Sequence, residues 1–268
     1  MVIFIIFDGY YFVLYRNFCM TRLLNNKQIR FLLFLLAFVA MSAWSMNIDT
    51  ELVGAADKGN FSLVKKILDT EQIEQEKLNT AFWVAIKKGN AAIVERFLQA
   101  GVDVNLRGEN RYTPLMQAAR DGRDQVVEIL LAAGADVNAI SEENDTALIL
   151  ASEKDRRKVI PLLLAANADV NTKRNNGMTA LLLAAQEGYQ QTIQILIKAN
   201  AEVNYQLENG ATALMLAAQH GHLGTVHSLI AANADPNLKA GNGMTAMMLA
   251  NLYRHKEVIE LLKKAGAR

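Results

Sequence analysis

Apolar residues between positions 113 and 131 recur three and four residues apart, in two short stretches separated by Gly122. This spacing predicts two short amphipathic helices joined by a tight turn. Thr113 is a good N-cap for the first helix, and Pro114 follows at the first helical position, where its missing N–H costs nothing. Gly122 and Gly134 follow the two helices and tolerate a positive φ. The segment therefore predicts a helix–turn–helix unit.

This unit recurs with a fixed period of 33 residues. Paired alanines recur in the first helix of four copies, an apolar second helix recurs along the chain, and an Asp-Val-Asn link or a close variant of it occurs five times. A constant period of this length is typical of a solenoid, in which each unit is stabilised by stacking on its neighbours. The residues at the start of each first helix are Thr113, Thr146, Thr179, Thr212 and Thr245, with Thr80 one period upstream and a degenerate copy near Thr50.

The pattern resembles the ankyrin repeat over nearly the whole stretch from Thr50 to Arg268. The resemblance implies an all-α solenoid of stacked helix-turn-helix units, with β-hairpin fingers standing at right angles to the helices. We expect one domain over residues 46–268, with repeats starting near residues 50, 80, 113, 146, 179, 212 and 245. The resemblance further implies a protein partner, a monomeric chain and no cofactor.

The sequence departs from the family pattern in three ways. The family's His, three residues after the Thr, is apolar in each copy, so packing must replace its polar contact to the backbone. The family's finger Asp is replaced by Gly108, Ser141, Arg174, Leu207 and Ala240. The copy at Thr146 has Asp155 in place of the turn Gly and Pro161 early in its second helix, where Pro opposes a regular helix. We expect that copy to be the weak point of the stack.

The first 45 residues differ from the rest. Residues 1–19 are interpreted as an upstream extension, with Met1 and Met20 both open as the start. Residues 20–45 combine a basic head, the apolar core FLLFLLAFVAM and the small residues Ala43 and Ser45, which together predict a bacterial secretory signal peptide and a mature chain starting near Met46. The alternative is an uncleaved inner-membrane anchor, although the core is shorter than the roughly 20 residues of a span. We expect a periplasmic or secreted protein.

Charge and cysteine content bear on the partner and on how the domain is stabilised. Without the first 45 residues, 24 basic residues face 26 acidic ones, a net charge of −2 with no basic stripe, so nucleic acid is a poor candidate partner. The single cysteine, Cys19, lies upstream of the proposed mature chain, so the domain needs no disulfide.

Neither a catalytic nor a metal-binding constellation is predicted. His220, His222 and His227 lie close together, but they lack further good metal ligands nearby, and His222 and His255 occupy positions where ankyrin repeats commonly carry a structural His. We therefore expect no metal, no cofactor and no enzyme activity.

The resemblance places partner binding on a concave face formed by finger tips and the ends of first helices. Tyr and Arg are favoured because binding hot spots are rich in them. Three hypotheses follow: a periplasmic or secreted protein-binding scaffold, an exported effector that binds a host protein, and an enzyme whose site the sequence does not reveal. The candidate binding residues are Arg107, Tyr112, Arg120, Ile140, Lys173, Met178, Tyr205, Gln206, His220, Lys239 and Tyr253.

Overall fold

The computed structural model describes residues 3–7, 10–14 and 50–268. Strands β1 (Ile3–Phe7) and β2 (Tyr10–Leu14) form an antiparallel pair in which Ile3 lies opposite Leu14. The predicted signal peptide, with its alternative as an anchor, lies outside the described residues, as do Cys19 and the cleavage site near Met46.

Residues 50–268 are helical throughout, with helices joined by turns. No helix in this part of the chain is both long and apolar enough to cross a membrane. The helices are α1 (50–57), α2 (Phe61–Thr70), α3 (Gln75–Lys88), α4 (Ala91–Gln99), α5 (Pro114–Asp121), α6 (Asp124–Ala132), α7 (Ala147–Glu153), α8 (Val159–Ala165), α9 (Ala180–Glu187), α10 (Gln190–Lys198), α11 (Ala213–Gln219), α12 (Leu223–Ala231), α13 (Ala246–Leu252) and α14 (Lys256–Lys264).

The helices form two layers. From α3 onward, first helices pack on first helices (α3, α5, α7, α9, α11, α13), and second helices pack on second helices (α4, α6, α8, α10, α12, α14). Paired small residues lie between the layers and are fully buried, as Ala118 and Ala119 are in α5. Small side chains there let neighbouring helices approach closely. The predicted stacked solenoid of helix-turn-helix units is confirmed.

Local signals in the sequence explain where the helices begin and end. The hydroxyl of Thr113 accepts a hydrogen bond from the Met116 N–H at 3.2 Å, and the N-terminal Thr of every later first helix makes the same contact. Gly122 ends α5 with φ +72°, and Asn167 takes the corresponding left-handed conformation after α8 with φ +65°. Thr caps and tolerant Gly or Asn residues therefore delimit the units as predicted.

Thr80 does not start a helix. Helix α3 already begins at Gln75, and the Thr80 hydroxyl donates back to the Glu76 carbonyl oxygen at 2.9 Å, inside the helix. The polar segment before Thr80 has the helical propensity of Gln, Glu and Lys and contains no Gly or Pro to stop it. As a result α3 has 14 residues, whereas the later first helices have seven or eight.

The connections between repeats contain no strands in residues 50–268, so the β-hairpin form of the fingers is not shown. Each finger is instead a turn closed by two backbone hydrogen bonds, such as those from the Arg174 N–H to the Met178 carbonyl oxygen at 2.9 Å and from the Gly177 N–H to the Arg174 carbonyl oxygen at 2.8 Å. Ser141 supports its turn where the family has Asp, because its hydroxyl accepts from the N–H groups of Glu143 and Asp145. The replaced finger Asp is thus partly compensated.

A ladder of Asn side chains ties successive links together. The Asn138 Oδ1 atom accepts from the Asp169 N–H at 2.8 Å, and its Nδ2 atom donates to the Asn167 carbonyl oxygen at 3.1 Å. Asn105, Asn171, Asn204 and Asn237 repeat both contacts one period apart. The invariant spacing of the Asp-Val-Asn links thus also fixes how each repeat sits on the next.

The repeat that starts at Thr146 accommodates both of its unusual residues, Asp155 and Pro161. Asp155 takes a left-handed φ of +50°, and its carboxylate accepts from the Thr192 hydroxyl at 2.7 Å and pairs with Arg157 at 3.1 Å. Pro161 is the third residue of α8, within the first turn, where a missing N–H is tolerated. Helix α8 has seven residues, compared with nine in the second helices on either side.

Candidate protein-binding surface

The fingers and the exposed sides of the first helices line a common set of grooves, which we call the finger surface. One groove, with a volume of about 540 Å³, lies between α3, α5 and the finger of residues 108–112. A second, of about 480 Å³, lies between the next two fingers, at residues 143–145 and 174–176. A third, of about 320 Å³, lies between α11, α13 and the fingers that contain Asn209 and Gly241. The grooves follow one another along the solenoid.

The eleven residues proposed from the sequence lie in the fingers or at the ends of first helices, and they are not equally accessible; Tyr112 and Arg120 line the first groove. Arg107, Arg120, Ile140, Lys173, Gln206, His220, Lys239 and Tyr253 are exposed, whereas Tyr112, Met178 and Tyr205 are half-buried. Among the exposed ones, Ile140 at 41% and Tyr253 at 51% are large apolar side chains facing solvent. Exposed apolar and cationic groups on one side of a solenoid favour contact with another macromolecule.

Arg107 and Gln206 connect neighbouring fingers. The Arg107 guanidinium donates to the carbonyl oxygens of Arg111 and Ile140, both at 2.9 Å. Three repeats further on, the Gln206 amide donates to the carbonyl oxygens of Gly210 and Lys239, at 2.9 and 3.1 Å. Both polar side chains have partners within the protein, so their first role is to hold the fingers in register.

An ion-pair network occupies the middle of the finger surface. The Arg174 guanidinium donates to the carboxylates of Asp145 and Glu153, and the Tyr112 hydroxyl donates to Asp145 at 3.3 Å. Burial alone would raise the pKa of Glu153, but the hydrogen bond and charge of Arg174 outweigh it and hold that pKa below its ordinary value. Burial raises the pKa of Tyr112, and the Asp145 carboxylate raises it further. The network joins three successive repeats.

Tyr205 is partly covered by its neighbour. The Lys173 ammonium lies 4.0 Å from the centre of the Tyr205 ring, in a cation–π contact between adjacent fingers. The Tyr205 ring therefore presents only part of its surface, and Lys173 is the more accessible of the pair.

Trp83 is a residue of this surface that the sequence reasoning missed. It lies in α3 and lines the largest groove together with Lys87, Tyr112 and Arg120. A Cβ atom on Gly108 would lie 2.8 Å from the Trp83 ring, so the ring occupies the space of a side chain at the finger position where the family has Asp. The sequence signal that could have pointed to Trp83 is the glycine at position 108, which leaves room for a large side chain beside it.

The histidines have structural partners. The Nε2 atom of His222 lies 2.9 Å from the Gln186 carbonyl oxygen, and that of His255 lies 2.9 Å from the Gln219 carbonyl oxygen, so each ring caps the first helix of the preceding repeat. The His220 ring stacks on that of His222, with centroids 5.9 Å apart. Within residues 50–268, no group of three or more His, Cys, Asp or Glu side chains is arranged to hold a metal ion.

Comparison with known families identifies the fold. The model of the family described as ankyrin repeats (3 copies) matches residues 52–141, 139–207 and 199–268. The chain belongs to the ankyrin repeat family, whose repeats form protein–protein interaction domains and are generally not enzymes. No curated protein matches the chain closely enough to add a specific activity or partner.

Proposed function

We propose that this protein is a non-enzymatic scaffold that binds a partner protein along the finger surface, which forms the concave face of the solenoid. The observation that carries the proposal is the row of three grooves between fingers and first helices. A partner that spans several repeats buries about 800 Å² on each side, enough for a stable complex.

The second helices differ from the finger surface, and the difference supports the finger surface as the binding face. Their outward side chains include Glu95, Glu128 and Lys198, which are exposed and line none of the three grooves. Four large apolar side chains are exposed in the fingers or at the first helices, compared with Leu223 alone on the second helices from α4 onward, and hot-spot residues are often of this kind; the four are Ile140, Met248, Leu252 and Tyr253. The finger surface is the better binding face for this reason.

We further propose that the scaffold acts in the periplasm or outside the cell. The supporting observation is the arrangement of basic head, apolar core and small-residue exit over residues 20–45. N-terminal sequencing of the protein from fractionated cells is the test. A chain that starts near Met46 is expected, whereas a full-length chain retained in the inner membrane would support the anchor instead.

Affinity capture tests the binding face. The full tagged chain is compared with a variant in which the exposed residues Arg120, Lys173 and Lys239 are replaced by Ala. The charge-matched control replaces Lys198, Lys263 and Lys264, which are also exposed but lie on second helices. We expect the first variant to lose the partner and the control to keep it, with both melting temperatures near that of the parent. Loss in the control alone would overturn the proposal.

A further inference from the structure

The groove at Trp83 differs from the other two grooves of the finger surface in its chemistry. Its lining combines an aromatic ring, Trp83, with two cationic side chains, Lys87 and Arg120. The groove of about 320 Å³ between α11 and α13 is lined by Met, Leu, Ala and uncharged polar residues. In the groove of about 480 Å³, Arg174 is already paired with Asp145 and Glu153.

Lys87 and Arg120 have no partner for their charges within the described part of the chain. Neither side chain makes an ion pair or hydrogen bond there, and both are exposed. Two neighbouring cations are engaged: Lys88 pairs with Asp57 at 2.8 Å, and Arg123 donates to the Lys87 carbonyl oxygen at 2.9 Å. The cations of the groove are therefore available to a ligand.

Trp83 lies on α3, which no finger precedes. Every later first helix follows a finger, whereas α3 follows residues 71–74 and its own additional helical turn. The Trp83 ring lies against Gly108 of the finger that follows, so the groove has an aromatic wall. The ring offers apolar surface, and Lys87 and Arg120, one repeat apart on first helices, offer positive charge.

From these observations we propose that the Trp83 groove binds an acidic peptide segment of the partner protein, in which an apolar side chain rests on Trp83 and neighbouring carboxylates pair with Lys87 and Arg120. This proposal rests on the proposed scaffold function and specifies its ligand. Glu109 is the one acidic residue in the lining, and the two cations outnumber it. Aromatic residues and Arg dominate binding energy where they lie in such pockets, and opposite charge steers the approach.

A fluorescence titration tests this assignment. The full chain with Trp44→Phe keeps Trp83 as its only tryptophan, because the sequence contains two. The probe is a short capped peptide of alternating glutamate and leucine, and the comparison peptide has glutamine in place of glutamate. We expect saturable change in Trp83 emission with the glutamate peptide, weakening as salt is added, and affinity about tenfold lower for the glutamine peptide.

A pair of variants identifies the residues involved. Lys87→Gln with Arg120→Gln should lower affinity for the glutamate peptide about tenfold or more. Lys198→Gln with Lys263→Gln changes the net charge equally, at exposed positions on second helices outside the groove, and should leave the affinity within about twofold of the parent. Equal binding of the two peptides, equal losses in the two variants, or no binding of the glutamate peptide would each overturn the proposal.

The outcome separates this proposal from the scaffold function. If the titration fails while partner capture still depends on Arg120, Lys173 and Lys239 together, the acidic ligand is wrong and the binding face stands. If capture depends on second-helix residues instead, the binding face is wrong, and the peptide titration still decides by itself whether the groove takes an acidic segment.

Discussion

The guanidinium of Arg174 pairs with the carboxylate of Asp145, a buried residue of the preceding finger. Arg174 stands where the family pattern has Asp, so a residue that departs from the pattern forms a new contact between repeats. The same guanidinium pairs with Glu153 at the end of α7. A finger that lost its internal Asp is thereby fixed to the rest of the stack through charge.

This network predicts how stability depends on pH. Because the pKa of Glu153 is lower in the folded protein than its ordinary value of 4.5, its contribution is fully present above about pH 4.5 and is lost as the pH falls through the folded-state pKa. Glu153→Gln should therefore destabilise the protein at pH 7, and the difference from the parent should shrink in acid. Denaturant unfolding of both proteins between pH 7 and pH 3 measures it. A difference that stays constant over this range would contradict the assignment.

The Asn ladder predicts a graded effect at Asn138. Asn138→Ala removes both the acceptor for the Asp169 N–H and the donor to the Asn167 carbonyl oxygen, and we expect a loss of about 1–2 kcal/mol in the free energy of unfolding. Asn138→Asp keeps the acceptor and loses the donor, so its loss should be smaller. Equilibrium unfolding checks both variants, and equal losses would show that the acceptor contact contributes nothing.

Substitutions at Gly188 and Gly243, which have nearly the same φ, separate the cost of backbone strain from the cost of steric crowding. Gly188 and Gly243 have φ of +78° and +79°, but a Cβ at Gly188 would lie 2.5 Å from the His222 ring, whereas none lies within 4 Å at Gly243. Gly243→Ala should cost about 1–2 kcal/mol for the left-handed conformation alone. Gly188→Ala should cost clearly more, because the His222 ring is held by its bond to Gln186. Thermal unfolding compares them, and similar losses would refute the steric explanation.

The Thr146 repeat should still open before its neighbours. Its second helix α8 is the shortest of the second helices from α4 onward, and Asp155 holds a left-handed conformation that Gly adopts more easily. In a stack where each repeat contacts only its neighbours, local stability follows the local repeat. Hydrogen exchange should show faster exchange for the amides of residues 156–166 than for those of residues 189–199. Equal protection would mean that the contacts of Asp155 with Thr192 and Arg157 compensate fully.

The sequence was sufficient for the parts of the fold that depend on local chemistry. Thr113 and its equivalents are N-caps, and Gly122 and Asn167 take left-handed conformations, because each requirement is met within a few residues. The spacing also predicted that the candidate residues lie in fingers or at the ends of first helices, and their role in binding stays a prediction. These predictions needed no knowledge of how one repeat meets the next.

The periodic pattern could not predict the contacts between repeats. Thr80 matches the period but lies inside a helix, because residues 75–79 have helical propensity and no stop signal. Trp83 lies against Gly108 of the next repeat, so its place in the groove depends on the missing side chain there. Arg107 and Gln206 resemble free binding residues in the sequence, yet their partners are backbone carbonyls one repeat away. Each case depends on two repeats together.

The most direct test of the binding face is site-specific photo-crosslinking in living cells. A photoreactive amino acid is placed at Ile140 or Lys173, on the finger surface, and in parallel at Glu128 or Lys198, on the second helices; all four side chains are exposed. Single exposed replacements should leave the fold intact, so the position of the adduct reports contact directly. We predict a crosslinked partner from Ile140 and Lys173 and none from Glu128 and Lys198. A partner crosslinked only from the second-helix positions would contradict the proposed function.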